Sequence, residues 1–499
     1  MPTPAFRLAS WTLALAAALA FATAAQAAVH NVAAAEDFAK LADQVKPGDE
    51  IVVADGKHAD WAVTIPFKGA AEKPVVIRPA KPGAVTFTGK TKIVLEGAEH
   101  VVFQDFVLDG CKVAEKSLIL FENAGHCRVT GCRILNAIGK KNDQVIRFAH
   151  KSADNRIDNC SFVGNAARGV QIQVLAEDWQ TAGYPTGNRI DHNLFQDIPD
   201  VKKPGQEGAG NGRETIQVGQ GGAAEAETRT LVEHNIFLRC NGENESISNK
   251  TAANTYRFNF FKDQVGCLSL RGSSNCLVEG NRMEHAPGIH VQGKGQTVIN
   301  NVLIRSGGDR KPGRQGIVGA ITLSYGMEVQ PPPYPQHYKA VENALVANNT
   351  IVDSPIFGLF LGSGKRQNWG KRGMRSVAPS KNRIVNNIIV GNTGELLMQD
   401  EAPDNVLDRN LVFATGAATV ATYGQNPVKA DPLFVDAAKG DYRLSPRSPA
   451  MKAGLVIKEI ANSANIGATA EPAQYGPENP FTRADLKMEK PPAEAAKDH

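Results

Sequence analysis

Apolar and polar positions along this chain recur as a unit that reads apolar-x-x-Asn-x-apolar, and the unit returns about ten times. Early copies are Val129…Cys132-x-Ile134, Ile157…Cys160-x-Phe162 and Ile190…Asn193-x-Phe195; late ones are Val346…Asn349-x-Ile351, Ile384…Asn387-x-Ile389 and Leu407…Asn410-x-Val412. In the middle, the anchors Asn235, Asn259, Asn281 and Asn301 lie 24, 22 and 20 residues apart, whereas the next gap, to Asn349, is 48. The short spacing is one coil and the long ones contain insertions. Each unit offers short runs of alternating apolar residues and a polar turn, too little to bury a face alone, so neighbours must stack into a continuous core. The pattern predicts an all-β fold, a right-handed parallel β-helix.

An asparagine at one recurrent inward turn can bond the backbone of its own coil and stack on its equivalents above and below. Cys132 and Cys160 occupy that column. Five residues earlier a second column reads Cys127, Asn155, Asn188, Asn254, Cys276, Asn382 and Asn405. Four of the seven cysteines therefore read as packed ladder members rather than metal or redox groups, and the odd total leaves at least one thiol unpaired in a monomer.

The ends read differently. Apolar residues at helical spacing over 35–45 predict a short helix capping the first coil and shielding its open edges. Asp431-Pro-Leu-Phe-Val and Gly440-Asp-Tyr-Arg-Leu read as the last strand pairs, and residues 471–499, rich in Pro, Ala, Lys and Glu, as a mobile tail. Met1 to Ala27 carries Arg7, an apolar run from Trp11 to Ala22 and Ala25-Gln26-Ala27, the pattern of a cleaved secretory leader. Its apolar run is shorter than the roughly 20 residues a membrane anchor needs. The expected organisation is a leader (1–27), one β-helix domain (28–470) and the tail, in a monomer exported to the periplasm or the medium.

With 42% hydrophobic and 21% charged residues, a folded core is expected and wholesale disorder is not. The formal charge of +4, about +3 without the leader, does not describe a nucleic-acid binder, and no later segment is apolar enough to span a membrane.

A β-helix alone implies no activity, so the chemistry must come from a departure from the repeat. Asn241-Gly-Glu243-Asn-Glu245-Ser-Ile-Ser-Asn-Lys250 is one, followed a coil later by Leu268-Ser-Leu-Arg271-Gly272. Carboxylates at i and i+2 point to one side of a strand, where like charges are costly unless a cation holds them, so Glu243 and Glu245 suggest a calcium-type oxygen site. Lys250 lies 9 residues before Asn259 and Arg271 lies 10 before Asn281, which nearly superimposes them on successive coils. The segment 211–219 aligns beneath the Glu243/Glu245 strand, and Asn211 or Glu214 would complete the metal shell. The competing interpretation is a solvated, salt-bridged stripe of a solenoid surface.

Asn211-Gly-x-Glu-Thr-Ile, Glu243-x-Glu-Ser-Ile-Ser-Asn-Lys and Leu268-x-Leu-Arg-Gly resemble polysaccharide lyase family 6, the family of alginate lyases and the dermatan-sulfate-cleaving chondroitinase B. Lys46-Pro-Gly-Asp-x-Ile-Val-Val-Ala-Asp-Gly is similar too, so the resemblance covers nearly all of the chain beyond the leader. It implies a calcium-assisted β-elimination at a uronic acid, with Asn211, Glu243 and Glu245 holding Ca2+, Lys250 as base and Arg271 as acid. The chemistry is coherent: the C5 proton of a uronate is very weakly acidic, so its carboxylate must be neutralised and the base must be an uncharged amine. Departures from the family pattern fall on substrate contacts. Gly272 stands where many relatives have histidine, Gln217 where they often have arginine, and His290, in Gly288-Ile-His-Val, where an arginine contacts substrate. Tyr325 is a candidate for stacking on a sugar ring.

The expectation is an exported lyase for alginate, an anionic polysaccharide. Dermatan sulfate is the alternative within the family, although sulfate recognition would want more arginine in the groove. A non-catalytic carbohydrate-binding β-helix is the alternative outside enzymes. A glycosidase is disfavoured, because hydrolysis needs carboxyls facing each other across the linkage at roughly 5–9.5 Å and Glu243 and Glu245 sit side by side.

Overall fold

Short β-runs with a polar turn every few residues can bury their apolar side only against copies of themselves, and the chain does so. The computed structural model describes residues 27–175, 179–200, 212–308, 318–328, 338–368, 370, 373–402, 404–458, 460 and 462–468. Its strands build three parallel sheets, of 14, 12 and 13 strands, in which each strand pairs with its equivalents one coil before and after. One coil runs Leu231–Glu233, Ile236–Cys240, Glu245–Asn249, one strand per sheet, and the next runs Thr255–Arg257, Phe260–Lys262, Cys267–Leu270. Register keeps like over like: Val232 on Tyr256, Phe237 on Phe261, Ile247 on Leu268. This is the parallel β-helix that the repeat predicts.

The interior is filled by columns. Phe162, Phe195, Phe237 and Phe261 stack at centroid spacings of 4.7, 5.1 and 4.5 Å. Asn193, Asn235, Asn259, Asn281, Asn301, Asn349, Asn387 and Asn410 form an unbroken ladder. Each Oδ1 accepts from the backbone N–H and Nδ2 of the asparagine one coil earlier, at 2.9–3.0 Å. Cys160 begins the run, its N–H donating to Asn193. The second column is in pieces: Cys127–Asn155–Asn188, Asn254 bonded to Thr230, Cys276 to Gln296, and Ala344–Asn382–Asn405. All seven cysteines are free and buried, and burial pushes the thiols of Cys111, Cys127 and Cys240 up to about 12, so these three are not ready nucleophiles.

The residue before each ladder asparagine turns the corner in the left-handed region, among them His192, His234, Phe258 and Gly280, with φ of 53°, 53°, 53° and 61°. The half-buried rings of His192, His234 and Phe258 stack there at 4.9 and 5.3 Å. The stack stops at Gly280, where a Cβ would lie 2.5 Å from the Phe258 ring.

The capping helix is shorter than its pattern. It covers Glu36–Lys40 and buries Phe38 edge-on to Trp61 at 6.3 Å, while residues 41–44 continue as turns ahead of Pro47. At the far end, Phe434–Asp436 and Asp441–Leu444 pair antiparallel as a hairpin apart from the three parallel sheets. The chain then folds back over the outside of the solenoid. Ala450 and Ile466 pack on Ile388 and Leu411, Ile457 and Ile460 pack on Ile299 and Val385, and the side chains of Asn348 and Asn386 donate to its carbonyls. The expected leader and tail fall outside the described residues, apart from Ala27. Among the described residues, no helix is long and apolar enough to cross a membrane.

Candidate active site

The long insertions all flank strands of the 12-stranded sheet, such as residues 199–215 before Ile216–Val218 and 325–344 after Gly319–Ser324. The outer face of that sheet carries a cleft of about 570 Å³, lined by Arg147, Arg168, Glu214, Glu243, Lys250 and Arg271 among others.

The strand pairing sets this constellation. Ile216, Gln217 and Val218 lie under Ile247, Ser248 and Asn249, which lie under Leu268, Ser269 and Leu270. Continuing that register by one residue places Lys250 directly beside Arg271, a rung of roughly 4.8 Å away. The Lys250 N–H donates to the Val218 carbonyl and that of Arg271 to the Asn249 carbonyl, so both backbones are fixed. At the other end of the same strands stand Glu214 and Glu245. Cross pairs close the square: Lys250 Nζ is 3.6 Å from Glu214 Oε1, and Arg271 Nη1 is 3.6 Å from Glu245 Oε2.

Glu214, Glu243 and Glu245 are all buried, at 4, 7 and 8% exposure, so their charges must be compensated. Glu214 is: Arg168 Nε donates to its Oε2 at 2.8 Å, and although burial opposes ionisation, Arg168 and Lys250 hold the carboxyl below its ordinary value. Glu245 accepts from Ser248 Oγ and faces Arg271. Glu243 is not compensated in the same way. It accepts from the Gly212 N–H at 2.6 Å, yet burial, with repulsion from Glu214 and Glu245, pushes it up to about 8. A carboxyl so crowded by its own kind, in an all-oxygen setting, fits a hard cation held by Glu243 and Glu245. The three glutamates do not bring one oxygen each within 4.8 Å of the others, and Glu214 is already engaged by Arg168 and Lys250. Asn211 lies outside the described residues.

Lys250 is lowered from the usual lysine value, by burial first and then by the charges of Arg271 and Arg168, against the pull of Glu214 and Glu245. Arg271 is held above its ordinary value: burial opposes the charge, but Glu245 and the other carboxylates outweigh it. Sequence reasoning missed what surrounds Arg271. Its Nη2 donates to the Tyr338 hydroxyl, its guanidinium sits 4.7 Å from the Tyr338 ring, and Arg375 covers the same ring at 5.1 Å. Tyr338 and Arg375 reach the site through insertions clasped by the antiparallel pairing of Gly326–Met327 with Arg375–Val377. Arg168 was missed too, although its strand register over Glu214 is the signal that finds it.

Of the expected substrate contacts, Gln217 lines the cleft. Its Nε2 donates to the Gly219 carbonyl at 2.9 Å, while its buried Oε1, like that of Gln144, meets no donor among the described residues. His290 is one strand beyond Ser269 in the same outward column, but it is 4% exposed and bonded on both sides, to Ser324 Oγ at 2.8 Å and Ser269 Oγ at 3.3 Å. Burial, then Arg375 and Arg271, hold it down to about 3, so it is a neutral packing group here and not a titrating contact for a carboxylate. Tyr325 is 3% exposed, with its hydroxyl on the Glu401 carbonyl at 2.7 Å, and it does not line the cleft.

Comparison with known proteins adds to this geometry. The family described as Chondroitinase B matches residues 32–440. Among solved structures, the PL6 family alginate lyase AlyGC is 26% identical, with a TM-score of 0.71 over 88% of this chain and 58% of its own. An arginine-to-alanine mutant of AlyGC is 25% identical, with a TM-score of 0.72 over 93% and 60%. The chain thus spans about 60% of the length of AlyGC. A mannuronic acid specific family 6 lyase from human gut microbiota, 23% identical over 82% of this chain and 93% of its own, shares the fold with a TM-score of 0.66. A search of the curated proteins gives no match.

Proposed function

Because this chain belongs to the chondroitinase B family, we propose that it is an exported polysaccharide lyase that cleaves alginate by β-elimination at a uronate, with Ca2+ as its metal. The observation that carries the reading is the square of Lys250, Arg271, Glu214 and Glu245 beside a crowded Glu243, in the cleft on the outer face of one sheet.

In the reaction, Lys250 Nζ takes the proton from C5 of the sugar, the electron pair of that bond becomes the C4–C5 double bond, and the C4–O4 bond breaks. O4 departs with a proton, leaving an unsaturated uronate end. A base must be uncharged to act, and burial beside two guanidinium groups favours the neutral amine at Lys250. Glu243 and Glu245 would hold Ca2+, which when bound supplies the positive charge that neutralises the uronate carboxylate. Arg271 faces the departing oxygen as a fixed cation. Since a guanidinium gives up its proton reluctantly, the Tyr338 hydroxyl on its Nη2 belongs to the same acid assembly. The orphaned acceptors of Gln217 and Gln144 suit sugar hydroxyls.

Alginate is favoured because AlyGC is an alginate lyase and because an uncharged Gln217 and a buried neutral His290 leave less positive charge for a sulfate. The test is growth of ultraviolet absorbance from unsaturated uronate on alginate and on dermatan sulfate, with and without a calcium chelator. Growth on alginate that chelation abolishes is expected. Growth on dermatan sulfate alone would move the substrate within the family, and silence on both with calcium present would overturn the lyase reading for these polymers in favour of a carbohydrate-binding β-helix.

A further inference from the structure

The turn that leads from the 12-stranded sheet into the 14-stranded one carries Glu99 and His100 on one coil and Gly125 and His126 on the next. Glu99 and Gly125 are bridge partners, and His100 and His126 occupy the same left-handed position, with φ of 48° and 50°. Identical backbone geometry sends both imidazoles outward in parallel: their rings stack at 4.8 Å and 8°. The Glu99 carboxylate reaches across to the next coil, with Oε1 3.9 Å from His126 Nε2. One ligand atom from each of the three lies within 4.8 Å of the others, the only such His/Cys/Asp/Glu group among the described residues.

The space beside Gly125 is where the Glu99 carboxylate lies. The φ of Gly125 is not in the region that calls for glycine. A Cβ there would lie 2.7 Å from Glu99 Oε2, so an added side chain would shift the carboxylate. The missing side chain is the space through which Glu99 reaches His126.

We propose that Glu99, His100 and His126 form a binding site for a divalent transition metal of the zinc class, clamping two neighbouring coils. Two neutral imidazoles and a carboxylate are a borderline-soft donor set that hard calcium does not prefer, and three protein ligands leave one position for water. Ligand atoms around tetrahedral zinc are about 3.4 Å apart, so binding needs a closure of up to roughly 1.4 Å and a turn of the His126 ring out of its stack on His100, which its exposed side chain allows. Lys68, the bridge partner of Glu99 on the preceding coil, is turned to the Gly97 carbonyl. The site lies on the same corner as Lys250 but four coils earlier, roughly 19 Å along the axis, and does not depend on the proposed reaction.

The experiment is calorimetric titration of ZnCl2 into the full chain carrying no affinity tag, with calcium in excess to fill the cleft, followed by thermal melts. One zinc ion is expected per chain, with a rise of several degrees in Tm. His126→Ala and Glu99→Gln should each weaken binding at least tenfold and remove the rise, and Gly125→Ala should weaken it by displacing Glu99. His285→Ala, an exposed histidine paired with Asp263 elsewhere, should change neither. Failure of the wild-type chain to bind zinc, or binding that survives both His126→Ala and Glu99→Gln, overturns the proposal.

Discussion

At Lys250 the burial that makes an amine a poor cation makes it a usable base, and the guanidinium groups around it push the same way. Lys250→Ala should lower turnover at least about a thousandfold with the fold intact, since Glu214 keeps Arg168, and Lys250→Arg should not rescue it; steady-state rates and circular dichroism check both. Tyr338→Phe keeps the ring between Arg271 and Arg375 but removes the hydroxyl that Arg271 holds. We expect kcat to fall about tenfold with KM little changed, and an equal rise in KM instead would make Tyr338 a binding group. His290 gives a pH prediction. Its folded value of about 3 lies below the ordinary value near 6.5, so as pH falls through 6.5 the unfolded chain takes up a proton that the folded one refuses. Stability should therefore decline between about pH 6.5 and 3, by an order of a few kcal/mol, and the decline should be shallower in His290→Gln; Tm at pH 7 and pH 4 measures it. Lys250 and Arg271 were legible because their distances to the anchor asparagines nearly match. The resemblance pointed to His290 as a substrate contact, but which outward residues lie open depends on neighbouring coils and on insertions that carry no repeat: Ser269 and Ser324 hold His290, and the insertions deliver Tyr338 and Arg375.

Among the elements, the asparagine ladder was the most legible, since one residue type at one turn explains each rung. The broken second column was less so, because Thr230, Gln296 and Ala344 occupy its gaps without sharing a side-chain type. Asn259 sits mid-ladder, accepting from Asn235 and donating to the Val232 carbonyl and Asn281. Asn259→Ala takes the acceptor from the buried Asn235 N–H and a donor from the Val232 carbonyl, and should cost about 2–4 kcal/mol in denaturant melts. Asn410 ends the run, so Asn410→Ala should cost less; equal losses would mean that the rungs do not support one another. Gly280→Ala should also destabilise, because its Cβ meets Phe258 and its φ of 61° disfavours a side chain.

For the whole molecule, the repeat predicted the solenoid and not the return of residues 445–468 along its flank, which has no periodicity to announce it. That return covers Ile299, Val385, Ile388 and Leu411 on the outside of two sheets. Ending the chain after Leu444 should expose them, lower Tm by several degrees and increase binding of a hydrophobic dye, while activity below the melt persists, because none of the cleft-lining residues lies beyond position 444. The unbroken register of the coils has a further consequence. Since each strand of the 12-stranded sheet meets only its two neighbours, a whole coil added or lost outside the run that carries Arg168 through Arg375 leaves the reacting groups' mutual distances untouched while lengthening or shortening the face on which a polymer lies. Reach and reaction are thus separately adjustable: the first grows by whole turns at the ends of the solenoid, the second is settled inside that run.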